Sequence, residues 1–376
     1  MPRLRRADCS LPGITRRGRG RGFEYRDAGG RRIADPETLE RIRALAIPPA
    51  WRDVWICPDP LGHLQATGID AAGRKQYLYH PHWRVRRDQQ KFDDMVGFAG
   101  ALPRVRAAVA RDLAREGMDR ERVLACAVRL LDRGFFRIGS EGYAEDNGTY
   151  GLATMRKDHV SVGRDGTLTF DYPAKGGLQR IQAVVDADVA EVVRALRRRR
   201  GGGPELLAFR EERRWRDIRS DDINAYLRAI SGHDCSAKEF RTWSATVLAA
   251  VALGVSAQAA NGTKTARTRA KRRAVEEVAG YLGNTPAVAR ASYVDPRVFD
   301  RFDSGWTIAP VLGGTWDLAD ERLRAAVEEA VLDLLAGARA SPHVEKGLDL
   351  AAAAAGPSPS WKSRGRSAPR APSARR

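Results

Sequence analysis

The sequence predicts an α+β protein: a small β-rich N-terminal domain, then a larger, mainly α-helical domain with a small antiparallel sheet of its own. Three observations carry this. The 376-residue chain is too long for one small core and suits two compact domains plus tails. Up to about residue 85 the β-prone runs are short and alternating, and beyond it the apolar residues recur at helical spacing. Both ends are basic and low in complexity.

Taken in order, residues 1–22 are Arg/Gly-rich and are expected to be disordered. Residues 23–85 form the β-rich domain, with runs at Asp53 to Pro58, Gly62 to Gly68 and Lys75-Gln-Tyr-Leu-Tyr-His80. Alternation puts Tyr77 and Tyr79 on one face of the last run, and Gln76, Leu78 and His80 on the other. Residues 86–340 are the larger domain. Val105 to Glu116 and Arg120 to Leu131 read as helices, and Tyr150 to Met155, His159 to Val162 and Leu168 to Tyr172 as strands. A helix over 181–198 ends before Gly201-Gly-Gly-Pro204. Ser220 caps a helix over 221–230, and Ser236 with Glu239 forms a capping box for a helix running to Gly254. Lys271 to Leu282 is helical, Thr285-Pro286 starts a short helix reaching Tyr293, and a last helix covers 318–337. Residues 341–376 are the basic tail.

The formal net charge is +18, which suggests a polyanionic partner. Its distribution weakens the inference. Residues 1–22 hold seven Arg against one Asp, and residues 357–376 hold six Lys or Arg and no acid. Local features must therefore argue for nucleic acid. No run approaches the roughly 20 apolar residues of a membrane helix. Cys9, Cys57, Cys126 and Cys235 are scattered without metal or disulfide spacing, which fits a reducing cytosol. His80-Pro81-His82 is the one close histidine pair and is not expected to bind metal.

There is no G-x-x-x-x-G-K-[ST] loop, and Asn261-Gly-Thr-Lys264 resembles one only superficially. HExxH and metal-spaced carboxylates are also missing, so ATP use and two-metal phosphoryl transfer lack sequence support. If the chain cuts phosphodiesters, side chains must do it. Such a transesterification needs a nucleophile, cations around the pentavalent phosphate, and an acid for the leaving oxygen. Arginine suits the phosphate, because its planar fork binds two oxygens. Lysine or histidine can protonate the leaving group. A tyrosyl phosphodiester conserves the energy of the bond broken, so resealing needs no ATP.

Several strings then occur in order: Ile47-Pro-Pro-Ala-Trp51, Val54-Trp-Ile-Cys57, Gly62-His-Leu-Gln-Ala-Thr-Gly68, Gly73-Arg-Lys-Gln-Tyr-Leu-Tyr-His80, Phe136-Arg-Ile-Gly139, Asn147-Gly-Thr-Tyr-Gly151, Tyr172-Pro-Ala-Lys-Gly176, Lys238-Glu-Phe-Arg-Thr-Trp243, Leu282-Gly-Asn-Thr-Pro286 and Ala291-Ser-Tyr293. Each alone is weak, and together they are specific. Over residues 40–310 the chain resembles the type IB DNA topoisomerases, in the small form of poxviruses and bacteria. The resemblance implies a clamp around duplex DNA, with 86–340 as its catalytic part. It implies Tyr293 as nucleophile, Arg137 and Arg241 as transition-state arginines, and Lys175 as general acid. Asn284 stands where many relatives have His; its carboxamide can donate to a phosphate oxygen but cannot exchange protons.

The resemblance further implies DNA contacts from Gln76, Tyr77, Tyr79 and Tyr143, with Ser140 and Gly142 where poxviral relatives have basic residues nearby. The run Lys264, Arg267, Arg269, Lys271, Arg272 and Arg273 suits phosphate contact. Neither cofactor nor metal is implied. The expected setting is a monomer on duplex DNA, cytoplasmic and nucleoid-associated, with no membrane partner. A tyrosine site-specific recombinase and a catalytically inactive DNA-binding protein are the alternatives.

Overall fold

The structure is a computed structural model that describes residues 2–20, 22–257, 263–313 and 320–347, with the side chains of Tyr143 and Asp146 outside the description. Two compact units divide the chain, residues 1–97 and 98–376.

In the first unit the elements are β1 (Ile14–Arg19), β2 (Gly22–Arg26), α1 (Pro36–Ala44), β3 (Arg52–Ile56), β4 (Leu64–Ile69) and β5 (Lys75–Tyr79). They build an antiparallel sheet of order β2-β1-β3-β4-β5. One face is covered through Ile14, Ile42, Val54, Ile56 and Ala66, with Trp51 and Leu78 packed against them. The segment expected to be disordered therefore contributes an interior strand, β1. Composition misled because Ile14 is buried and Arg16 is not a solvated tail residue. Arg16 donates to the carbonyls of Ile47, Pro48 and Trp51, the Pro-rich run before β3.

The long helix α2 (Pro81–Leu113) begins in the first unit and ends in the second, so the boundary falls inside a helix and not near residue 85. The second unit continues with α3 (Arg120–Gly134), α4 (Glu141–Asn147), β6 (Val160–Val162), β7 (Thr167–Pro173), β8 (Gln179–Val185), α5 (Ala187–Arg198), β9 (Ala208–Glu211), β10 (Arg214–Asp217) and α6 (Ser220–Ser231). Then come α7 (Lys238–Ser256), α8 (Lys264–Leu282), α9 (Pro286–Ser292), α10 (Pro296–Asp303), β11 (Trp306–Thr307), α11 (Glu321–Ala336) and β12 (Glu345–Lys346). Helices α3 and α7 form the centre, buried from Val123 to Val128 and from Ala245 to Val251. Phe98 of α2 meets Phe240 of α7 edge to face, 4.9 Å between centroids.

Three expectations for this unit need correction. Residues 181–198 are not one helix: β8 pairs with β7 along its whole length, and Asp186 then caps α5 by accepting from the Val189 N–H. The stretch Tyr150 to Met155 is not a strand but a short 3₁₀ turn over Leu152–Thr154, whose N–H groups bond to loop carbonyls. Part of the expected tail is ordered, since β12 pairs with β11. The Ser236–Glu239 capping box forms only in part: Glu239 reaches back to Ser236, but Ala237 is the N-cap of α7 and no side chain caps the helix. The Ser236 N–H and Oγ both donate to Glu239 Oε2, at 2.9 and 2.7 Å.

Candidate active site

Arg137 lies just past the C-terminus of α3. That helix ends at Phe135, which takes a left-handed φ of 53°, and the chain then turns into Phe136, buried against Phe170. Two glycines hold the turn. At Gly151 an added Cβ would sit 2.4 Å from the Gly139 nitrogen, and Gly139 itself has φ 80°. This close approach lets the Leu152 and Ala153 N–H groups donate to the Arg137 and Ile138 carbonyls at 2.8 and 2.7 Å. The Phe-Arg-Ile-Gly and Asn-Gly-Thr-Tyr-Gly strings are thus the two halves of one cradle around the Arg137 backbone.

The end of α8 forms the opposite wall. Gly283 closes the helix at φ 60°, and the Asn284 N–H folds back to the Ala279 carbonyl. The carbonyls of Tyr281, Leu282 and Gly283 are left over, as last-turn carbonyls are. Each accepts from a different arginine: Tyr281 from Arg180 Nη2, Leu282 from Arg241 Nη2 at 2.9 Å, and Gly283 from Arg137 Nη2 at 3.1 Å. Arg137 also donates to Asn284 Oδ1. A guanidinium only donates, so this contact fixes the carboxamide with its nitrogen on the other side. That Nδ2 is buried without an acceptor of good geometry, yet lies near enough to the Tyr293 hydroxyl to favour its ionised form.

Tyr293 caps α9, which starts as the sequence indicates: Thr285 Oγ1 accepts from the Val288 N–H, and Pro286 takes the first helical position. Its carbonyl accepts from Thr246 Oγ1 of α7 at 3.3 Å. The same helix carries Arg241, only 3% exposed, with its guanidinium carbon 5.2 Å from the Tyr293 ring centroid. Arg241 Nη1 donates to the Phe135 carbonyl, which joins α7 to the left-handed turn before Arg137.

The electrostatics follow from cations held by carbonyls. Burial, with the nearby Arg137 charge, pushes Arg241 down to about 10, although Tyr293 opposes the shift. Burial alone would raise the Tyr293 phenol. Arg241, Arg137 and the Asn284 amide outweigh it, and the phenol is held below its usual range.

The structure therefore brings Arg137, Arg241, Asn284 and Tyr293 together. Lys175 stands apart. It is exposed in the turn between β7 and β8 and makes no hydrogen bond or ion pair among the described residues. Its hairpin nevertheless reaches the group through Tyr172, 2% exposed, and through Arg180, whose charge acts on both Arg137 and Arg241. Arg180 was missed because the helix expected over 181–198 takes in most of β8, the strand that carries it.

The outlying candidates divide. Tyr77 and Tyr79 are exposed, 46% and 40%, and stacked 6.2 Å apart. Gln76 points the other way and donates to Asp70 at 2.8 Å. The Tyr143 side chain lies outside the described residues. On α8, Lys264 and Arg269 are exposed. Two candidates there need correction as free phosphate ligands. Arg267 is 7% exposed and donates to the Asp303 carbonyl, and Lys271 bonds both Asp303 carboxylate oxygens at 2.7 and 2.6 Å. No helix among the described residues is long and apolar enough to cross a membrane.

Residues 80–303 match the family model of the eukaryotic DNA topoisomerase I catalytic core, and residues 22–70 match that of the bacterial DNA topoisomerase IB N-terminal domain. The chain is 29% identical to a DNA topoisomerase 1B of Acanthamoeba polyphaga mimivirus over 290 residues, covering 76% of this chain and 85% of the relative. It is 24% identical to the DNA topoisomerase 1B of Vaccinia virus (strain Copenhagen) over 135 residues, 35% of this chain and 43% of the relative. It is 26% identical to a DNA topoisomerase 1 of Daucus carota over 142 residues, 38% of this chain and 17% of the relative. The first of these matches takes in more than half of the sequence and spans every residue of the arginine–asparagine–tyrosine group, so the chain belongs to the type IB DNA topoisomerases.

Proposed function

We propose that this topoisomerase relaxes supercoiled duplex DNA by transient cleavage of one strand through a 3′-phosphotyrosyl link at Tyr293. The observation that carries the reading is the grouping of Tyr293 with two guanidiniums, each resting on a neutral carbonyl at the end of α8, beside the Asn284 carboxamide N–H, an arrangement that holds the phenol below its usual range. A phosphodiester satisfies all of these donors at once.

In the forward step the Tyr293 oxygen bonds to phosphorus, its proton passes to water, and the phosphorus–5′-oxygen bond breaks. Arg137 and Arg241 bind the non-bridging oxygens as charge builds on them, and Asn284 donates its N–H to one. Lys175 gives its proton to the departing 5′-oxygen, a contribution of about 10²–10⁴-fold for a well-placed acid. The freed strand rotates, and the 5′-hydroxyl attacks the tyrosyl phosphate to restore the backbone and the phenol. Tyr77, Tyr79, Lys264 and Arg269 are exposed and suited to hold the duplex. A tyrosine recombinase would share this chemistry, but the bacterial type IB N-terminal match favours relaxation. DNA as substrate suits a nucleoid-associated, monomeric enzyme.

The purified chain should relax supercoiled plasmid in EDTA without ATP. Tyr293→Phe should bind DNA and form no covalent adduct. A strict need for Mg²⁺ or ATP would refute the mechanism, and an adduct on the phenylalanine variant would mean that another residue is the nucleophile.

A further inference from the structure

We infer that Arg180 is a positioning residue for Lys175, fixing the β7–β8 hairpin to the end of α8 so that the lysine is presented to the scissile phosphate. This rests on the reading of Lys175 as the general acid.

The hairpin needs such a tie. Its turn is closed by the Gly177 N–H to the Ala174 carbonyl and by the Ala174 N–H to the Leu178 carbonyl, both 2.9 Å, and Gly176 and Gly177 take φ of 87° and 74°. Lys175 in this turn is exposed, and β8 is the edge of its three-stranded sheet. Two outward residues of β8 are apolar and solvated: Ile181 is 68% and Val185 69% exposed. Of the inward residues, Arg180 and Gln182 are polar, and both reach the segments that carry Arg137 and Asn284. Gln182 Nε2 donates to the Gly134 carbonyl at 2.6 Å, three residues before Arg137. Arg180 Nη2 donates to the Tyr281 carbonyl, three residues before Asn284.

The packing around Arg180 is close. A Cβ added at Gly283 would lie 2.4 Å from Arg180 Nη1, so the glycine of the Leu-Gly-Asn-Thr-Pro string both closes α8 and makes room for this guanidinium. Arg180 Nε donates to Gln182 Oε1 at 2.5 Å, and the guanidinium also interacts with the Tyr172 hydroxyl. With its donors committed inside the protein, Arg180 is poorly placed to bind phosphate itself. It is well placed to set where the next turn of the hairpin lies. A misplacement of about 1 Å at a reacting group can cost about 10²-fold in rate.

The test uses a duplex with a mapped cleavage site of this enzyme, made with oxygen or sulfur at the bridging 5′ position. A thiolate leaves without a proton, so a sulfur substrate bypasses the general acid. Single-turnover cleavage is measured for wild type, Lys175→Ala, Arg180→Ala and Arg180→Lys. Arg180→Ala should cut the oxygen substrate at least about tenfold more slowly, within the range that mispositioning produces, and cut the sulfur substrate near the wild-type rate. Arg180→Lys keeps a cation that can reach one carbonyl, so it should show a smaller defect with the same rescue. It keeps the comparison usable if the alanine chain does not fold. Rescue of Lys175→Ala without rescue of either Arg180 variant overturns the positioning role, as does normal cleavage of oxygen by Arg180→Ala. Failure to rescue Lys175→Ala would instead overturn the general-acid reading on which the inference stands.

Discussion

On the proposed mechanism Tyr293 is the nucleophile, and Arg241 does most to hold its phenol below the ordinary range. Burial raises the phenol, and the two guanidiniums with the Asn284 amide bring it down again. Removing the Arg241 charge leaves burial less opposed, so the phenol of Arg241→Gln must move up. The single-turnover cleavage rate of wild type should therefore level off at a lower pH than that of Arg241→Gln, beyond any loss of amplitude. Coincident profiles would mean that phenol ionisation does not govern the rate. Arg137, Arg241, Asn284 and Tyr293 were legible in the sequence because each sits in a string whose neighbours have structural work, such as Gly139 against Gly151 or Thr285 capping α9. Arg267 and Lys271 were not. A basic run shows charge, not direction, and these two fall on or beside the inward stripe of α8 marked by Ala270, Ala274 and Val278. Their spacing from those apolar positions was the available signal.

At the scale of elements, the end of α8 acts as a holder for cations. Its last carbonyls carry the negative end of the helix dipole, and three arginines rest on consecutive oxygens. Carbonyls offset the charge only partly, which is why burial shifts Arg241 and Arg180 downward. A tetrahedral anion should complete the balance. Inorganic sulfate should raise the melting temperature of the wild-type chain more than chloride does at equal ionic strength, by about 2.7 kcal/mol in stability at a hundred times its dissociation constant. Arg137→Gln should lose most of the sulfate-specific part. Equal stabilisation of both proteins would show that sulfate acts elsewhere or by exclusion from the surface. The strand that brings Arg180 to this site was hidden for a physical reason. β8 alternates as a strand does, but Ile181 and Val185 lie on its solvated face while Arg180 and Gln182 point inward beside Val184, which blurs the usual signal. Strands β3, β4 and β5 were legible as short β-prone runs: β3 alternates in the usual sense, β4 is buried almost throughout, and β5 alternates with its tyrosines outward.

For the whole molecule, net charge said less than its placement. Many arginines of the second unit serve its interior: Arg122 bonds the Leu113 and Gly117 carbonyls and Glu191, and Arg106 and Arg324 each bond both Asp132 and Glu328. No local pattern announces such a network, because Arg106 and Glu328 are 222 positions apart. Its position matters to function. It fastens α11 to α2 and α3, and α3 leads directly into the turn that carries Arg137. Asp132, 9% exposed, lies between the two arginines. Burial would raise its carboxyl, but Arg324 and Arg106 outweigh this and hold it below the ordinary range. A carboxyl lowered by folding contributes stability that is complete above its unfolded value, about 3.9, and is lost as the pH falls through the lowered value. Asp132→Asn leaves two half-buried guanidiniums with Glu328 as their one remaining carboxylate and should cost about 1–3 kcal/mol at neutral pH. Measured by urea denaturation, the difference between wild type and Asp132→Asn should narrow steadily as the pH is lowered below about 4, because wild type then loses the same charge. A difference that stays constant down to the acid transition would assign the loss to packing and not to the ion pairs.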